Sequence, residues 1–190
     1  MQTRERLLDI AGELLGEVGI ERISTNMIAA RAGVSPAALY RYFADKYAVL
    51  EALGRRFMDR QNVVLFAWLE QHKVGGLAEM GAHVEELLRA TANVTANEPG
   101  GVWIERALRA VPQLAHIRVA SHREVTDAML EVYAPLLPHV NRKVLWRRLR
   151  MTVEYGYAID EMLNEEDRIP RDEIFREAAL LFANARLGEK

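Results

Sequence analysis

Residues 25–46 read TNMIAARAGVSPAALYRYFADK, and this stretch predicts two short helices joined by a tight turn. Thr25 is expected to cap the first helix, because its hydroxyl can accept from a free backbone N–H. Gly33 then ends that helix, since only glycine adopts the left-handed conformation at little cost. Ser35 and Pro36 open the second helix, Ser35 as the N-cap and Pro36 at the first helical position.

Apolar side chains within this stretch predict its core and leave the second helix with an open face. The expected core residues are Ile28, Ala29, Ala32, Val34, Leu39 and Phe43. Such a helix-turn-helix can lay its second helix in a DNA major groove. The small residues at its start, which allow close approach to the bases, are Ser35, Pro36, Ala37 and Ala38. Arg41 is expected to read guanine or clamp a phosphate, and Asn26 is a second candidate for a base edge.

From about Arg4 to Leu50 the chain resembles the DNA-binding domain of the TetR (tetracycline-repressor) family of transcriptional regulators. The resemblance rests on three segments, RERLLDIAGELLGEVGIERIST, IAARAGVSPAALYRYFADK and AVLEAL, which cover about the first quarter of the chain. It implies a homodimeric regulator that binds double-stranded DNA at an inverted-repeat operator. A DNA-binding domain would span residues 1–50, and a domain for dimerisation and for a small-molecule effector would span residues 51–190.

Matching positions in the family imply contacts with the DNA backbone for Thr25, Tyr40, Tyr42 and Lys46. The chain departs from the family at one of them, because a histidine often precedes the phenylalanine there and this chain has Tyr42. A phenol hydroxyl can also donate to a phosphate. Tyr40 has a second interpretation, as a side chain that packs on the first helix with its hydroxyl in water.

The charge of the chain is low for a DNA-binding protein. Its formal net charge is −2, and residues 1–60 hold nine basic and eight acidic side chains. The acids Glu5, Asp9, Glu13 and Glu17 recur every fourth residue, so they form one stripe that can face away from DNA. Modest non-specific affinity for DNA is therefore expected.

The composition excludes several other classes. The chain has no cysteine, so disulfides and thiolate metal sites are excluded. No apolar run is long enough to span a membrane and no signal peptide is visible, so a cytoplasmic protein is expected. The histidines share no metal-ligand spacing, and no constellation of catalytic residues is recognisable. We therefore expect that the protein is not an enzyme and that it binds no metal ion or cofactor. The histidines are His72, His83, His116, His122 and His139.

Helical periodicity runs through the remaining sequence, and no segment shows convincing strand alternation. An all-α fold follows, with a three-helix DNA-binding domain and a larger helical domain. Asp45 and Asn141 are expected to cap helices. The expected helices span about 3–18, 25–32, 36–43, 46–72, 77–97, 101–110, 113–134, 142–163 and 171–187.

The last two helices are predicted to form the dimer interface, because apolar stripes occupy more of their surface than one chain needs. The predicted interface residues are Leu149, Val153, Gly156, Leu163, Ile174, Ala178, Leu181, Phe182 and Ala185. Gly156 weakens its helix, and a close helix crossing would compensate. An ordinary intrachain core is the alternative.

The effector pocket is predicted among large or polar side chains of the C-terminal domain. The candidates are Phe66, Trp68, Asn93, Trp103, Trp146 and Tyr155. Aromatic residues at helical spacing are more often core residues than ligand contacts, so that interpretation stays open.

Five basic side chains within residues 142–150 have two interpretations: pairing with a partner subunit's acids, or binding an anionic effector such as an acyl-coenzyme A. The alternative for the whole chain is a dimeric helical sensor of small molecules without sequence-specific DNA binding.

Overall fold

The computed structural model describes residues 2–185, 187 and 188, and every regular element in these ranges is helical. The α-helices are α1 (Gln2–Arg22), α2 (Thr25–Arg31), α3 (Pro36–Tyr40), α4 (Lys46–His72), α5 (Gly76–Ala82), α6 (Val84–Asn97), α7 (Gly101–Ala110), α8 (Ala115–Leu136), α9 (Arg142–Glu165) and α10 (Arg171–Ala183). A single 3₁₀ turn, Lys73–Gly75, precedes α5. The predicted all-α fold is confirmed.

Side-chain caps fix several helix starts where the sequence predicts them. Asp45 Oδ1 accepts from the backbone N–H of Ala48 at 2.8 Å, so α4 begins at Lys46. Asn141 Oδ1 accepts from the N–H of Lys143 at 2.9 Å and caps α9. These caps satisfy N–H groups that the first helical turn leaves without a partner.

Several boundaries differ from the predictions. The first helix continues past Gly19 (φ 75°) to Arg22 rather than ending near residue 18, and α3 ends at Tyr40. The segment expected as one helix ending near Asn97 forms α5 and α6, because the backbone leaves helical geometry at His83 (φ −110°, ψ 11°). The last helix ends at Ala183 rather than at Leu187, and Asn184 caps it.

Residue contacts divide the chain into two compact units. The first comprises the residues up to Arg60 together with Val94–Val119, and the second comprises Gln61–Asn93 together with the residues from Ala120 onward. The expected boundary at residue 50 follows the end of the sequence motif. The helices α4, α6 and α8 each contribute residues to both units.

A buried ion cluster ties α4 to the turn before α7 within the first unit. The Glu98 side chain is 1% exposed; it accepts from Arg56 at 2.6 Å and from Arg60. Arg56 also contacts Glu5 at 3.2 Å and Asp9 at 2.8 Å. Part of the acidic stripe on α1 therefore pairs with α4. Arg56 thus compensates the charge of Glu5 and Asp9 within the unit.

Two apolar clusters form the core of the second unit. One includes Trp68, Leu145, Leu149 and Val153, and the other includes Leu163, Ile174, Phe175 and Ala178. Five residues predicted to contact a partner subunit are therefore buried within the chain and are corrected to intrachain core: Leu149, Val153, Leu163, Ile174 and Ala178. Periodicity reveals a buried face but not the surface that covers it.

Among the residues that the structure describes, no helix is both long and apolar enough to span a membrane.

Candidate functional site

The segment α2–α3 is shaped by short-range hydrogen bonds. The N-cap of α2 is Ser24, whose Oγ accepts from the N–H of Met27 at 3.3 Å. The predicted cap, Thr25, is instead the first helical residue, because the extended residue (φ −141°) is Ser24. The Thr25 hydroxyl lies 3.1 Å from the Tyr40 hydroxyl, and this contact links α2 to α3.

The turn between these helices has the predicted form. Gly33 adopts the left-handed conformation at φ 65°, and its N–H donates to the Ala30 carbonyl at 3.1 Å. Ser35 Oγ accepts from the N–H of Ala38 at 3.2 Å, and Pro36 occupies the first position of α3. Both interactions satisfy backbone groups at helix ends, so the turn is specified locally.

The outer face of α3 leaves most of the predicted DNA-contacting residues in solvent. The exposed members of that set are Asn26, Ser35, Pro36, Ala37, Tyr40, Arg41 and Tyr42. Ala38, Thr25 and Lys46 are half-buried. Lys46 Nζ donates to the Ile20 carbonyl at 3.1 Å, so part of its donor capacity is already used. An ammonium group has three donors, which leaves two for other partners.

The cations around α3 differ in their engagement. Arg31 donates to both carboxylate oxygens of Glu17, at 2.9 Å and 2.7 Å. The hydrogen bond from Arg31 lowers the pKa of Glu17 and outweighs the opposing effect of desolvation. Arg41 forms no side-chain hydrogen bond or ion pair with any residue that the structure describes. Arg41 is therefore available to an external partner, whereas Arg31 is held by α1.

The second unit encloses a cavity of about 360 Å³, which is within the size range of small-molecule sites. Its described lining comprises Gln61, Asn62, Leu65, Trp68, Leu77, Met80, Gly81, Val84, Leu87, Leu88, Thr91, Val125, Met129, Tyr133, Leu137, Thr152, Val153, Gly156, Tyr157, Asp160, Phe182, Ala183, Ala185, Leu187 and Gly188. Most of this surface is apolar.

Of the six predicted pocket residues, only Trp68 lines this cavity. Trp103 belongs to the first unit and packs near Gly16. Trp146 donates through Nε1 to Asp127 at 2.7 Å on the surface. Tyr155 is exposed, as is Asn93, and Phe66 packs beside the core. These five residues lie outside this cavity, and the sequence could not show this because helical spacing cannot tell which face meets an empty space. Trp146 instead borders a shallow surface hollow with Leu130 and Arg142.

Three predicted dimer-interface residues also line the cavity: Gly156, Phe182 and Ala185. No described atom lies within 4 Å of the position that a Cβ on Gly156 would occupy. Among the described residues, the expected close helix crossing at Gly156 is therefore not formed, and Gly156 instead borders the cavity.

Polar side chains at one part of the cavity wall were not anticipated from sequence. Asp160 is buried and is the one charged residue in the described lining. Tyr157 donates through its hydroxyl to Gln61 Oε1 at 2.5 Å, and Ser121 donates to Asn62 Oδ1 at 2.9 Å. The adjacent polar pair Gln61–Asn62, at the start of an apolar stretch of α4, is the signal that could have revealed them.

A partly buried charge network lies beside this polar wall. Glu154 Oε1 accepts from Arg150 at 2.5 Å and lies 2.9 Å from His122 Nδ1. Burial alone would raise the pKa of Glu154, but the hydrogen bonds from Arg150 and His122 outweigh it and lower the pKa to about 2. The His122 ring packs 4.1 Å from the Tyr157 ring, so the network supports a cavity-lining side chain.

The basic run on α9 is largely paired within the chain. Arg142 contacts Glu131 at 2.5 Å, Arg148 donates to the Leu187 carbonyl at 2.6 Å, and Arg150 binds Glu154. Intrachain pairs therefore account for much of the run without a partner subunit.

Exposed apolar side chains on the last two helices lie outside the buried stripes. Met151 and Tyr155 on α9 are 54% and 56% exposed, and Leu180 and Leu181 on α10 are 56% and 74% exposed. Leu181 is the one predicted interface residue that is largely exposed. Large apolar groups in water mark interaction surfaces when they cluster.

The fold and the exposed α3 define a helical protein with an N-terminal helix-turn-helix. Residues 7–53 match the family model described as "Bacterial regulatory proteins, tetR family". The match is confined to this N-terminal segment, which is similar to the TetR family.

Two curated relatives share parts of the sequence. The nucleoid occlusion factor SlmA of Pasteurella multocida is 33% identical over 100 residues, which are 52% of this chain and 48% of that protein. The class C tetracycline repressor protein of Escherichia coli is 42% identical over 55 residues, which are 29% of this chain and 25% of that protein. The chain thus matches about half of the first relative and a quarter of the second.

Solved structures match the fold over nearly the whole chain. A TetR/AcrR-family transcriptional regulator from Thermobifida fusca has a TM-score of 0.71 at 21% identity, covering 98% of this chain and 99% of that one. The fatty acid degradation regulator FadR from Bacillus halodurans has a TM-score of 0.63 at 17% identity, covering 98% and 97%. Identity this low supports the shared fold alone.

Proposed function

We propose that this chain is a homodimeric repressor that binds an inverted-repeat operator and is released by a small-molecule effector. The observation that carries the proposal is the outer face of α3, where Arg41 and small residues stand in solvent on a family-matched helix-turn-helix. Small side chains let the helix approach base edges, and an unengaged guanidinium can form two hydrogen bonds to guanine.

The contacts with the DNA backbone would come from groups around α3. The Tyr40 and Tyr42 side chains are exposed. Lys46 stands at the start of α4, where free N–H groups favour a phosphate. Such contacts position the helix on DNA but carry little sequence information. Arg41 and Asn26 are therefore the residues proposed to determine which operator is bound.

The proposed dimer uses the exposed apolar residues of α9 and α10. Met151, Tyr155, Leu180 and Leu181 are the large side chains that a symmetric partner could cover. A two-fold axis would place two copies of α3 about 34–36 Å apart, the spacing of successive major grooves.

The proposed effector occupies the cavity of the second unit. Its apolar wall favours an apolar molecule, and the buried Asp160 carboxylate favours a hydrogen-bond donor or a positive charge on that molecule. α4 begins beside the helix-turn-helix and also lines the cavity with Asn62, Leu65 and Trp68. Release would follow if the effector binds more tightly to a conformation in which the two α3 helices do not match successive major grooves. Effector binding would then shift the dimer to that conformation and lower its affinity for DNA.

The experiment is selection of bound duplexes from a random DNA pool by the purified protein at physiological salt. Recovery of an inverted repeat with half-sites one helical turn apart is the expected result. Arg41→Ala should then weaken binding to that operator by about 1–3 kcal/mol and relax specificity at one base pair. Arg123→Ala, an exposed cation of the second unit, is the matched control and should leave affinity unchanged.

Two outcomes would contradict the proposal. An Arg41→Ala variant with unchanged base preference removes Arg41 from the base-reading residues. Enrichment of no sequence, combined with effector binding, would favour the alternative of a sensor without sequence-specific DNA binding.

A further inference from the structure

Two histidines and two glutamates from three consecutive elements meet in the second unit. His72 ends α4, Glu79 lies in α5, His83 separates α5 from α6, and Glu86 lies in the first turn of α6. The His72 and His83 rings stack with centroids 4.4 Å apart and an interplanar angle of 19°. The histidines are too far apart in sequence to suggest a metal site, and the break at His83 brings them together.

Hydrogen bonds determine which ring nitrogen of each histidine carries a proton. His72 Nδ1 lies 3.3 Å from Glu79 Oε1, and His83 Nδ1 lies 2.9 Å from the Glu79 carbonyl oxygen. Both oxygens are acceptors, so each Nδ1 is the donor. In the neutral imidazoles the lone pair therefore resides on Nε2, the nitrogen with which many metal-binding histidines coordinate.

Both Nε2 atoms face the carboxylate of Glu86. His72 Nε2 lies 3.8 Å from Glu86 Oε2, and His83 Nε2 lies 3.9 Å from Glu86 Oε1. These distances are too long for hydrogen bonds. His72 is only 4% exposed, and its buried Nε2 forms no hydrogen bond with the described residues. An unsatisfied buried nitrogen next to a carboxylate needs an explanation.

We propose that His72, His83 and Glu86 bind a divalent transition-metal ion, Zn²⁺, with water as the fourth ligand. Zinc bonds of about 2.0–2.1 Å in a tetrahedral site hold their ligand atoms about 3.3 Å apart. The observed separations, 3.8 Å from His72 Nε2 to Glu86 Oε2 and 3.9 Å from His83 Nε2 to Glu86 Oε1, exceed this spacing by about half an ångström, and the exposed Glu86 side chain is free to turn toward both nitrogens. His83 is half-buried and Glu86 is exposed, so the ion can enter from solvent.

Glu79 is the positioning residue of this site. Its carboxylate accepts from His72 Nδ1 and its carbonyl from His83 Nδ1, so it fixes both rings in the tautomer that zinc requires. A carboxylate behind a metal-bound histidine typically orients the ring and raises its basicity. Two carboxylates around two neutral imidazoles also leave negative charge that the cation would neutralise.

The site adjoins the wall of the cavity. Trp68 donates through Nε1 to the His83 carbonyl at 3.0 Å and itself lines the cavity, as do Met80 and Val84. A bound ion would fix the end of α4 against α5 and α6. The proposed zinc site is formed by these residues alone and is independent of the proposed binding of DNA and of an effector.

The test is a zinc titration of the full chain after removal of metals by a chelator, with a chromophoric chelator as competitor. The expected result is one Zn²⁺ per chain. A second readout is Co²⁺, whose visible absorption should report a four-coordinate nitrogen and oxygen site. Glu86→Gln and His83→Gln should abolish stoichiometric binding. Glu79→Gln should weaken it by about 10- to 100-fold.

Matched controls are His116→Gln and Glu177→Gln, which change exposed residues outside the cluster. Both should bind zinc like the wild type. Glu86 is exposed, so Glu86→Gln should keep the metal-free circular dichroism spectrum and still lose zinc. The proposal is overturned if the wild type binds no stoichiometric zinc, or if Glu86→Gln and His83→Gln bind it as tightly as the controls.

Discussion

Gly12 in the first unit and Gly156 in the second unit stand in opposite surroundings. In the first unit a Cβ on Gly12 would lie 2.0 Å from the Pro99 carbonyl oxygen, and one on Gly100 would lie 2.0 Å from the Gly12 carbonyl oxygen. In the second unit, a Cβ on Gly156 would meet no described atom within 4 Å. Backbone approaches backbone in one region, and open space remains in the other.

This difference indicates how rigid each region needs to be. The first unit carries the helix-turn-helix, and contacts between main-chain atoms leave little room for its supporting helices to adjust. The second unit contains a cavity, whose apolar lining can accept a guest of variable shape. Substitutions that add or remove atoms should therefore have opposite effects in the two regions.

The largest effect is expected for Gly12→Ala. Its new methyl group would overlap the Pro99 carbonyl, so backbone segments must separate, and we expect a loss of about 3 kcal/mol in the free energy of unfolding. Urea denaturation measures it. Gly16→Ala is the matched change one turn later, where the Cβ would meet only the Trp103 side chain at 3.3 Å. Equal losses in the two variants would refute the close backbone approach.

A medium effect is expected for Ser35→Ala in the helix-turn-helix. Loss of the hydroxyl leaves the N–H of Ala38 without its cap, which costs about 1 kcal/mol. Ser35→Asp keeps an acceptor at this position and should retain most of the stability. Thermal denaturation of the three proteins compares them. If Ser35→Ala is as stable as Ser35→Asp, the turn does not depend on this cap.

A gain of up to about 1 kcal/mol is expected for Gly156→Ala, because alanine favours the helix and its methyl group enters open space. Urea denaturation again measures the change. A loss of stability here would mean that another surface, such as a partner subunit, approaches Gly156 closely. The same variant thus tests both the cavity and the expected close crossing.

The smallest effect concerns pH. The pKa of Glu154 is lowered to about 2, so its pairing with Arg150 and His122 stabilises the fold at neutral pH and is lost as the pH falls from about 4.5 to about 2. We expect Glu154→Gln to cost less than about 1 kcal/mol at pH 7, because the carboxylate is partly exposed. The difference in the free energy of unfolding between wild type and Glu154→Gln should shrink as the pH falls from about 4.5 to about 2. A constant difference would contradict the assigned titration.

Features set by neighbouring residues could be predicted from the sequence. Gly33, Ser35 and Asp45 act on backbone groups a few residues away, so the turn, the start of α3 and the start of α4 follow from local chemistry. The one-residue error at Ser24 has the same origin, since Ser24 and Thr25 are both good caps.

Features made by distant segments could not be predicted. The cavity needs Gln61, Thr91 and Asp160 from three helices, and no local pattern encodes the empty space between them. The apolar stripe of α9 that contains Leu149 indicates a buried face. The pattern is the same whether that face is covered by the same chain or by a second chain. His72 and His83 likewise meet only because the backbone turns between α5 and α6.

The pair between Arg31 and Glu17 would also affect how the proposed regulator distributes itself on a chromosome. A cation already held by a carboxylate releases no counterion from DNA, and each phosphate left unneutralised reduces the salt-dependent, non-specific part of the affinity. Bulk chromosomal DNA would then sequester fewer molecules. More of them would diffuse freely between encounters, so a small number of copies could keep one operator occupied.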